Sequence, residues 1–241
     1  MTARKVKTRK KIRVSPPPAS RRAARPAKQP AISLTSKAYD AIKRRIITTA
    51  YAPGAYLNET AISDELGIGR TPVREAIHRL AKDGLINVIP RKGVVVRPIS
   101  FDEVVQLLDV RLINEPVCAA QAARRVTRAQ LEVPKQILRD AQDAIDADNG
   151  VEELMRLDQD FHRWIAEVAG NQLLAEIILN MHDRAARFWF LSLSEADHAQ
   201  RVQEEHLSIF KAIGAKDEAL AAETTRKHIE SNRNTILRIL M

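Results

Sequence analysis

The chain has 241 residues, of which 45% are hydrophobic, so it can form one large domain or two small ones with apolar cores. No apolar run reaches the roughly 18 residues of a transmembrane helix. The N-terminus also lacks the apolar segment of a signal peptide. The single cysteine, Cys118, excludes an internal disulfide and favours a reducing compartment.

The net charge of +9 comes from the N-terminal segment. Residues 1–30 contain 11 Lys or Arg and no acid, so all 30 acidic residues lie in the remaining, nearly neutral part of the chain. Because residues 1–32 are basic, proline-rich and poor in large apolar side chains, we predict a disordered tail. This tail could attract phosphates, be a solvated extension without a dedicated role, or be a transit peptide.

Residues 33–98 are predicted to form a small winged helix-turn-helix domain. Apolar residues at helical spacing indicate three helices, and two β-like runs follow them. The helices are expected at residues 35–50, 60–66 and 71–83, and the strands at residues 85–89 and 94–97. We expect Thr71 to cap the third helix and Gly84 to end it.

The third helix is the candidate DNA-reading element. Arg70, Arg74 and His78 fall four residues apart and share one face, while apolar residues occupy the opposite face. A helix with this pattern suits the DNA major groove, where an arginine can donate two hydrogen bonds to a guanine. The basic hairpin tip is expected to reach phosphates or the minor groove. Its residues are Arg91, Lys92 and Gly93.

Helical periodicity dominates after Pro98, so residues 99–241 are predicted to form an all-α antiparallel helical bundle. Ser100 and Glu103 match a capping box at the start of this region. The six helices are expected at residues 101–125, 128–148, 151–169, 172–193, 196–214 and 217–240. The fold class is therefore mainly α.

Four polar residues on inward helix faces could together bind a divalent metal. Asp158 and His162 lie one turn apart at the edge of an apolar stripe. His206 lies among apolar residues, and His228 lies on a small polar face that leaves room for a cavity. One carboxylate and three imidazoles suit zinc, nickel or manganese. The alternative is that these are ordinary histidines, hydrogen-bonded or exposed.

Two arginines occupy otherwise apolar helix faces, where an unpaired guanidinium costs several kcal/mol. Arg111 and Arg184 are therefore predicted to bind a ligand carboxylate through their guanidinium forks. Asn232, on the polar face of the last helix, is predicted to contact the same ligand. The alternatives are an ion pair between Arg111 and Glu115, one helical turn apart, and extension of the Arg184 side chain to water.

Together these motifs resemble the GntR family of bacterial transcription regulators, in its FadR branch with an FCD-type effector domain. The first half carries Leu-Gly-Ile-Gly-Arg-Thr-Pro-Val-Arg-Glu-Ala-Ile at residues 66–77, Asp-Gly-Leu at residues 83–85 and the basic wing. The second half carries Arg111-x3-Glu115, Asp158-x2-Phe161-His162, Gly170-Asn171-x2-Leu174, Glu205-His206 and His228.

The resemblance implies roles for particular residues. Arg70 and Arg74 would read bases, Thr71 would touch the DNA backbone, and the wing would add a further contact. The Asp158 carboxylate and the three histidines would ligate a metal, and Arg111 would bind the carboxylate of the effector. Two positions depart from the pattern. Gly69 stands where the family usually has Ser, and Thr60 stands where some members have a DNA-contacting Arg.

The expected function is that of a homodimeric bacterial regulator that binds a palindromic operator in double-stranded DNA. A small carboxylic acid, bound together with a divalent metal, would modulate repression or activation. We expect a cytoplasmic protein, associated with the nucleoid when bound to DNA and not with a membrane. The alternatives are a constitutive dimeric DNA-binding protein without an effector and a metal-dependent enzyme. The enzyme alternative offers only Glu205 as a general base.

Overall fold

The computed structural model describes residues 33–91, 93–98, 100–147, 150–192 and 196–240. The N-terminal segment, for which the sequence predicts a disordered tail, lies outside these ranges, as does Lys92 at the tip of the predicted hairpin.

Three helices and three short strands make up the first half. They are α1 (Leu34–Ile47), β1 (Tyr56–Leu57), α2 (Glu59–Leu66), α3 (Arg70–Lys82), β2 (Ile86–Ile89) and β3 (Gly93–Val96). Helix α1 begins after Ser33, whose side chain accepts a hydrogen bond from the N–H of Ser36. Helix α2 begins after Asn58, which accepts from the second and third residues of that helix. These elements confirm the predicted winged helix-turn-helix.

The prediction that Thr71 caps α3 is wrong. The helix begins at Arg70, one residue earlier than expected, so its N-cap is Gly69 and Thr71 lies inside the first turn. The other end of α3 agrees with the sequence, because Gly84 follows the C-cap residue with a φ of +78°. Glycine reaches this left-handed conformation without strain.

The strands form one antiparallel sheet in the order β1-β3-β2. In the hairpin, Ile86 pairs with Val96 and Ile89 pairs with Gly93. Strand β1 adds the pair Tyr56 and Val95 on the other side of β3. Sequence patterning missed β1 because two residues cannot show the alternation of a strand. The sheet and the apolar faces of α1 and α3 enclose one core.

The second half is a helical bundle. Its helices are α4 (Phe101–Arg125), α5 (Glu132–Asp146), α6 (Val151–Ala169), α7 (Gln172–Ser192), α8 (Ala196–Gly214) and α9 (Glu218–Leu240). A short 3-10 turn at Ala129–Leu131 precedes α5, where the sequence predicted one longer helix. Ser100 caps α4 by accepting a 3.1 Å hydrogen bond from the N–H of Glu103, while the Glu103 carboxylate contacts Arg184.

Helix α7 connects the bundle to the first half. Lys43 of α1 forms an ion pair with Asp183 of α7. One helical turn later, the Arg187 side chain donates a 2.6 Å hydrogen bond to the carbonyl of Arg97 at the end of the hairpin. Among the described helices, none is both long and apolar enough to cross a membrane.

Candidate functional site

The first candidate site is the solvent-facing side of α3. Arg70, Arg74 and His78 are exposed there, whereas the opposite side packs into the core of the first half. The Arg74 side chain is 65% exposed, and its Nε lies 3.1 Å from a Glu59 carboxylate oxygen at the start of α2. The buried residues of α3 are Val73, Ala76, Ile77 and Leu80. The structure thus gives α3 the two faces that its sequence predicts.

The turn before α3 and the wing set the edges of this surface. Gly67 ends α2 in the left-handed conformation, and the Ser63 hydroxyl donates a 2.5 Å hydrogen bond to the carbonyl of Ile68. These contacts fix the angle at which α3 leaves the turn. At the wing, Arg91 and Gly93 are exposed with φ values of +63° and +108°. The predicted wing residue Lys92 lies outside the described residues.

The second candidate site is a cluster of buried histidines inside the bundle. Helix α6 supplies Asp158 and His162, α8 supplies His206, and α9 supplies His228. A carboxylate oxygen of Asp158 lies 3.5 Å from Nε2 of His206 and 3.8 Å from Nε2 of His162. The ring centroids of His206 and His228 are 4.7 Å apart. The structure therefore brings together all four residues that were predicted as metal ligands.

Three polar atoms of this cluster are buried and make no hydrogen bond to any residue that the structure describes. Within the described ranges, Asp158 Oδ2, His162 Nε2 and His206 Nε2 are buried and have no hydrogen-bond partner. One nitrogen from each of His162, His206 and His228 lies within 4.8 Å of the other two. Two ligands that bind one ion at about 2 Å are separated by about 3–4 Å, so the spacing suits a shared ion.

The buried surroundings keep the imidazoles of His162 and His206 neutral. Burial lowers the pKa of His162 well below its ordinary value, and the neighbouring histidines and Arg111 lower it further. Burial likewise lowers the pKa of His206 well below its ordinary value, and the nearby basic side chains, among them Arg111, lower it further. Neutral imidazole is the form that binds a metal, so little proton release would accompany binding at these two residues.

A buried carboxylate, Glu115 of α4, lies behind the cluster. It accepts a 3.2 Å hydrogen bond from Nη2 of Arg111 and also contacts Nε of the same guanidinium. Its oxygens lie 3.1 Å from Nε2 of His182 and 3.5 Å from Nδ1 of His162. Although burial opposes its charge, Arg111 and His182 hold the pKa of Glu115 well below the usual range. The ion pair that the sequence offered as an alternative for Arg111 is therefore present.

Sequence reasoning missed His182 as a member of this group. The residue is buried on α7, and its ring centroid lies 4.2 Å from that of His162. A signal was available, because His182 shares an inward face of α7 with Ile178 and Ala185. Asn232 does belong to the cluster, since its side-chain nitrogen lies 3.2 Å from Nε2 of His228.

Arg184 lies elsewhere, at the junction with the first half. It contacts the Glu103 carboxylate, which is also 3.5 Å from Nη2 of Arg97. Its Nε would lie 3.4 Å from a Cβ built on Gly84, just past the end of α3. The structure thus pairs Arg184 with a carboxylate of the protein beside the winged helix-turn-helix half, whereas the sequence predicted a ligand carboxylate.

The space beside the histidines is small. A cavity of about 30 Å³ lies between α5, α6 and α8, with Asp158, Phe161 and His206 in its wall. Such a volume holds about two water molecules. A carboxylic acid of several carbon atoms would therefore displace side chains when it binds.

Two family descriptions match the chain. "Bacterial regulatory proteins, gntR family" matches residues 34–96, and "FCD domain" matches residues 106–231. The first match spans the winged helix-turn-helix half from α1 to β3, and the second lies within the helical bundle, between the first turns of α4 and the middle of α9.

Relatives and solved structures agree with these matches. The chain is 27% identical to the HTH-type transcriptional repressor RspR of Escherichia coli over 210 residues, which cover 87% of this chain and 92% of that protein. It is 24% identical to the Nta operon transcriptional regulator of Aminobacter aminovorans over 190 residues, which cover 79% and 88%. The solved E. coli protein McbR/YncC has the same fold, with a TM-score of 0.77 at 21% identity over 88% of this chain and 100% of that one.

Proposed function

Because the chain belongs to the GntR family of bacterial transcriptional regulators and carries an FCD domain, we propose that a ligand bound among its buried histidines controls its binding to DNA. Its domains and relatives are those of transcriptional regulators, so the chain is a regulator and not a metal-dependent enzyme. The repressor name of one relative suggests that this chain also represses.

The exposed face of α3 is the proposed base-reading surface. Arg70 and Arg74 would donate to base edges, and Thr71, exposed in the first turn, would contact a phosphate. His78 and the wing would extend the contact along the groove. Two copies of the chain in a homodimer would place two α3 helices on the half-sites of a palindromic operator. Such a protein would reside in the cytoplasm, on the nucleoid when bound.

We further propose that Asp158, His162, His206 and His228 hold a divalent metal. The observation that carries this proposal is the set of three buried atoms on these residues without a hydrogen-bond partner among the described residues. Buried polar atoms are rarely left unpaired, because each costs about 1–3 kcal/mol. Nitrogen and oxygen donors suit zinc, nickel or manganese. A bound ion would supply a Lewis-acidic anchor for a ligand oxygen.

The proposed effector is a small carboxylic acid, with a hydroxyl group as a second point of contact. Thr225 Oγ1 and Asn232 Oδ1 are buried beside the cluster without hydrogen-bond partners in the described part of the chain, and they could bind such a hydroxyl. Arg111 would contribute positive charge near the carboxylate while it stays paired with Glu115. Because the cavity is small, binding would shift the helices that surround it.

A thermal-shift experiment tests this function on the full chain. Zinc chloride should raise the melting temperature of the wild type by mass action, and a library of carboxylic and hydroxycarboxylic acids should contain members that raise it further. Addition of EDTA should abolish both shifts. The variant His206→Gln should lose them, whereas the control His78→Gln, changed at an exposed histidine, should keep them.

The alternatives give different results in the same experiment. If neither zinc nor any acid changes the melting temperature, the bundle serves dimerisation alone and the protein binds DNA constitutively. If an acid stabilises the protein equally with and without EDTA, the effector part of the proposal stands and the metal part is wrong.

A further inference from the structure

His228 has hydrogen-bond partners on both ring nitrogens, unlike the other two histidines proposed as ligands. Its Nδ1 lies 2.8 Å from a carboxylate oxygen of Glu205, which precedes His206 on α8. Its Nε2 lies 3.2 Å from the side-chain nitrogen of Asn232, one turn further along α9. The ring itself is fully buried, so both partners lie within the protein.

These two partners select the same tautomer of the imidazole. An ionised carboxylate accepts hydrogen bonds, so Nδ1 of His228 must carry the hydrogen that Glu205 accepts. The amide nitrogen of Asn232 is a donor, so Nε2 must present its lone pair. One ring nitrogen of His228 lies within 4.8 Å of a nitrogen of His162 and a nitrogen of His206, and the Nε2 lone pair is the group of His228 that would bind an ion shared with them.

We propose that Glu205 is a positioning residue that fixes His228 in its metal-binding tautomer, and that the Asn232 amide occupies the metal-binding nitrogen until an ion displaces it. This inference rests on the proposed metal site. A carboxylate behind a ligating histidine orients the ring and makes it a stronger donor. Asn232 donates a hydrogen bond to Nε2 of His228, so an ion that binds this nitrogen would displace the amide and leave it available to a ligand.

The first test is the tautomer of His228 in the metal-free full chain, read from long-range 1H–15N NMR spectra of histidine-labelled protein. The wild type should show a hydrogen on Nδ1 and a bare Nε2. Glu205→Ala should lose this preference, whereas Glu205→Gln should keep it, because an amide oxygen can replace the carboxylate as the acceptor. The control Glu204→Ala, at the exposed neighbouring residue, should match the wild type.

The second test is zinc affinity, measured by competition with a chromophoric chelator. Glu205→Ala should weaken zinc binding by about 10- to 100-fold, and Glu205→Gln by less. Asn232→Ala should bind zinc at least as tightly as the wild type, because no amide then competes for Nε2.

Two results would overturn the inference. A Glu205→Ala protein with an unchanged tautomer and unchanged zinc affinity would remove the positioning role. An Asn232→Ala protein that binds zinc more weakly would show that Asn232 supports the ion rather than yielding to it. If the wild type binds no zinc, the proposed metal site fails, while the NMR series still decides what Glu205 does to His228.

Discussion

At the scale of single residues, Arg74 combines exposure with a position on the predicted base-reading face. Its ion pair with Glu59 is largely exposed, and such pairs contribute about 0.2–1 kcal/mol to stability. An arginine that donates two hydrogen bonds to a guanine contributes more, about 1–3 kcal/mol of discrimination. Arg74 should therefore matter more for DNA binding than for folding.

The variant Arg74→Ala should bind the operator with a free energy of binding that is weaker by about 1–3 kcal/mol, whereas its affinity for random DNA should change little. Fluorescence anisotropy with both duplexes measures this difference at one stated salt concentration. Arg163→Ala, at a half-exposed arginine of α6, is the control and should change neither affinity. Equal losses on operator and random DNA would show that Arg74 contacts phosphate and does not read a base.

At the scale of elements, the turn between α2 and α3 contains two glycines with different backbone conformations. Gly67 has a φ of +61°, which costs other L-residues about 1–2 kcal/mol. Gly69 has a φ of −57° and stands at the N-cap of α3, where no side chain bonds the helix. A serine at an N-cap is better than glycine by a few tenths of a kcal/mol.

Gly69→Ser should therefore raise the free energy of unfolding slightly, whereas Gly67→Ser should lower it by about 1–2 kcal/mol. Urea denaturation followed by circular dichroism compares the two proteins with the wild type. Because both variants add the same side chain two residues apart, each is the control for the other. If both variants lower the free energy of unfolding equally, backbone conformation does not determine the effect of a serine in this turn.

At the scale of the whole molecule, α7 contacts the histidine cluster on one face and the DNA-binding half on the other. His182 contacts Glu115 within the bundle. On another face, Asp183 pairs with Lys43 of α1, and Arg187 donates a hydrogen bond to the backbone carbonyl of Arg97. A ligand that displaces the helices around the cluster would therefore move the anchors of α1 and the hairpin.

The variant Asp183→Asn should weaken this coupling. The operator Kd is measured twice, once without ligands and once with zinc and the effector found by the thermal-shift screen. The ratio of the two values should move towards one in this variant, because the ion pair with Lys43 no longer connects α1 to α7. By reciprocity, operator DNA should then change the affinity for the effector less as well. The control is Glu218→Gln, which breaks a solvent-exposed ion pair with Arg124 between two helices of the bundle. An unchanged ratio in Asp183→Asn would exclude α7 as the link through this contact.

Helix positions and faces were predictable because they depend on local periodicity. The bounds of α4 and α6 agree with the prediction at both ends, and the basic face of α3 is exposed as expected. The predictions of secondary structure were wrong where the assignment depends on one or two residues. Thr71 was placed at a cap that belongs to Gly69, and the two residues of β1 were too few to show a pattern.

The candidate metal site was predictable for residues whose polarity contrasts with an apolar helix face. Asp158 and His162 stood out in this way because they are spaced one turn apart on a single helix. His182 did not enter the prediction, since its proximity to Glu115 depends on how α7 packs against α4. The assignment of Arg184 depended on the same kind of packing, and the structure places it at the junction of the two halves.

The sequence by itself determined the family, the two-part architecture and the identities of the four candidate ligands. Periodicity and short motifs are local, so they can be read along the chain without coordinates. The tertiary structure alone decided which buried atoms meet across helices. The contacts of Glu115 with His162 and His182, the contact of Glu205 with His228 and the position of Arg184 follow from interhelical distances of a few ångströms, which sequence spacing does not determine.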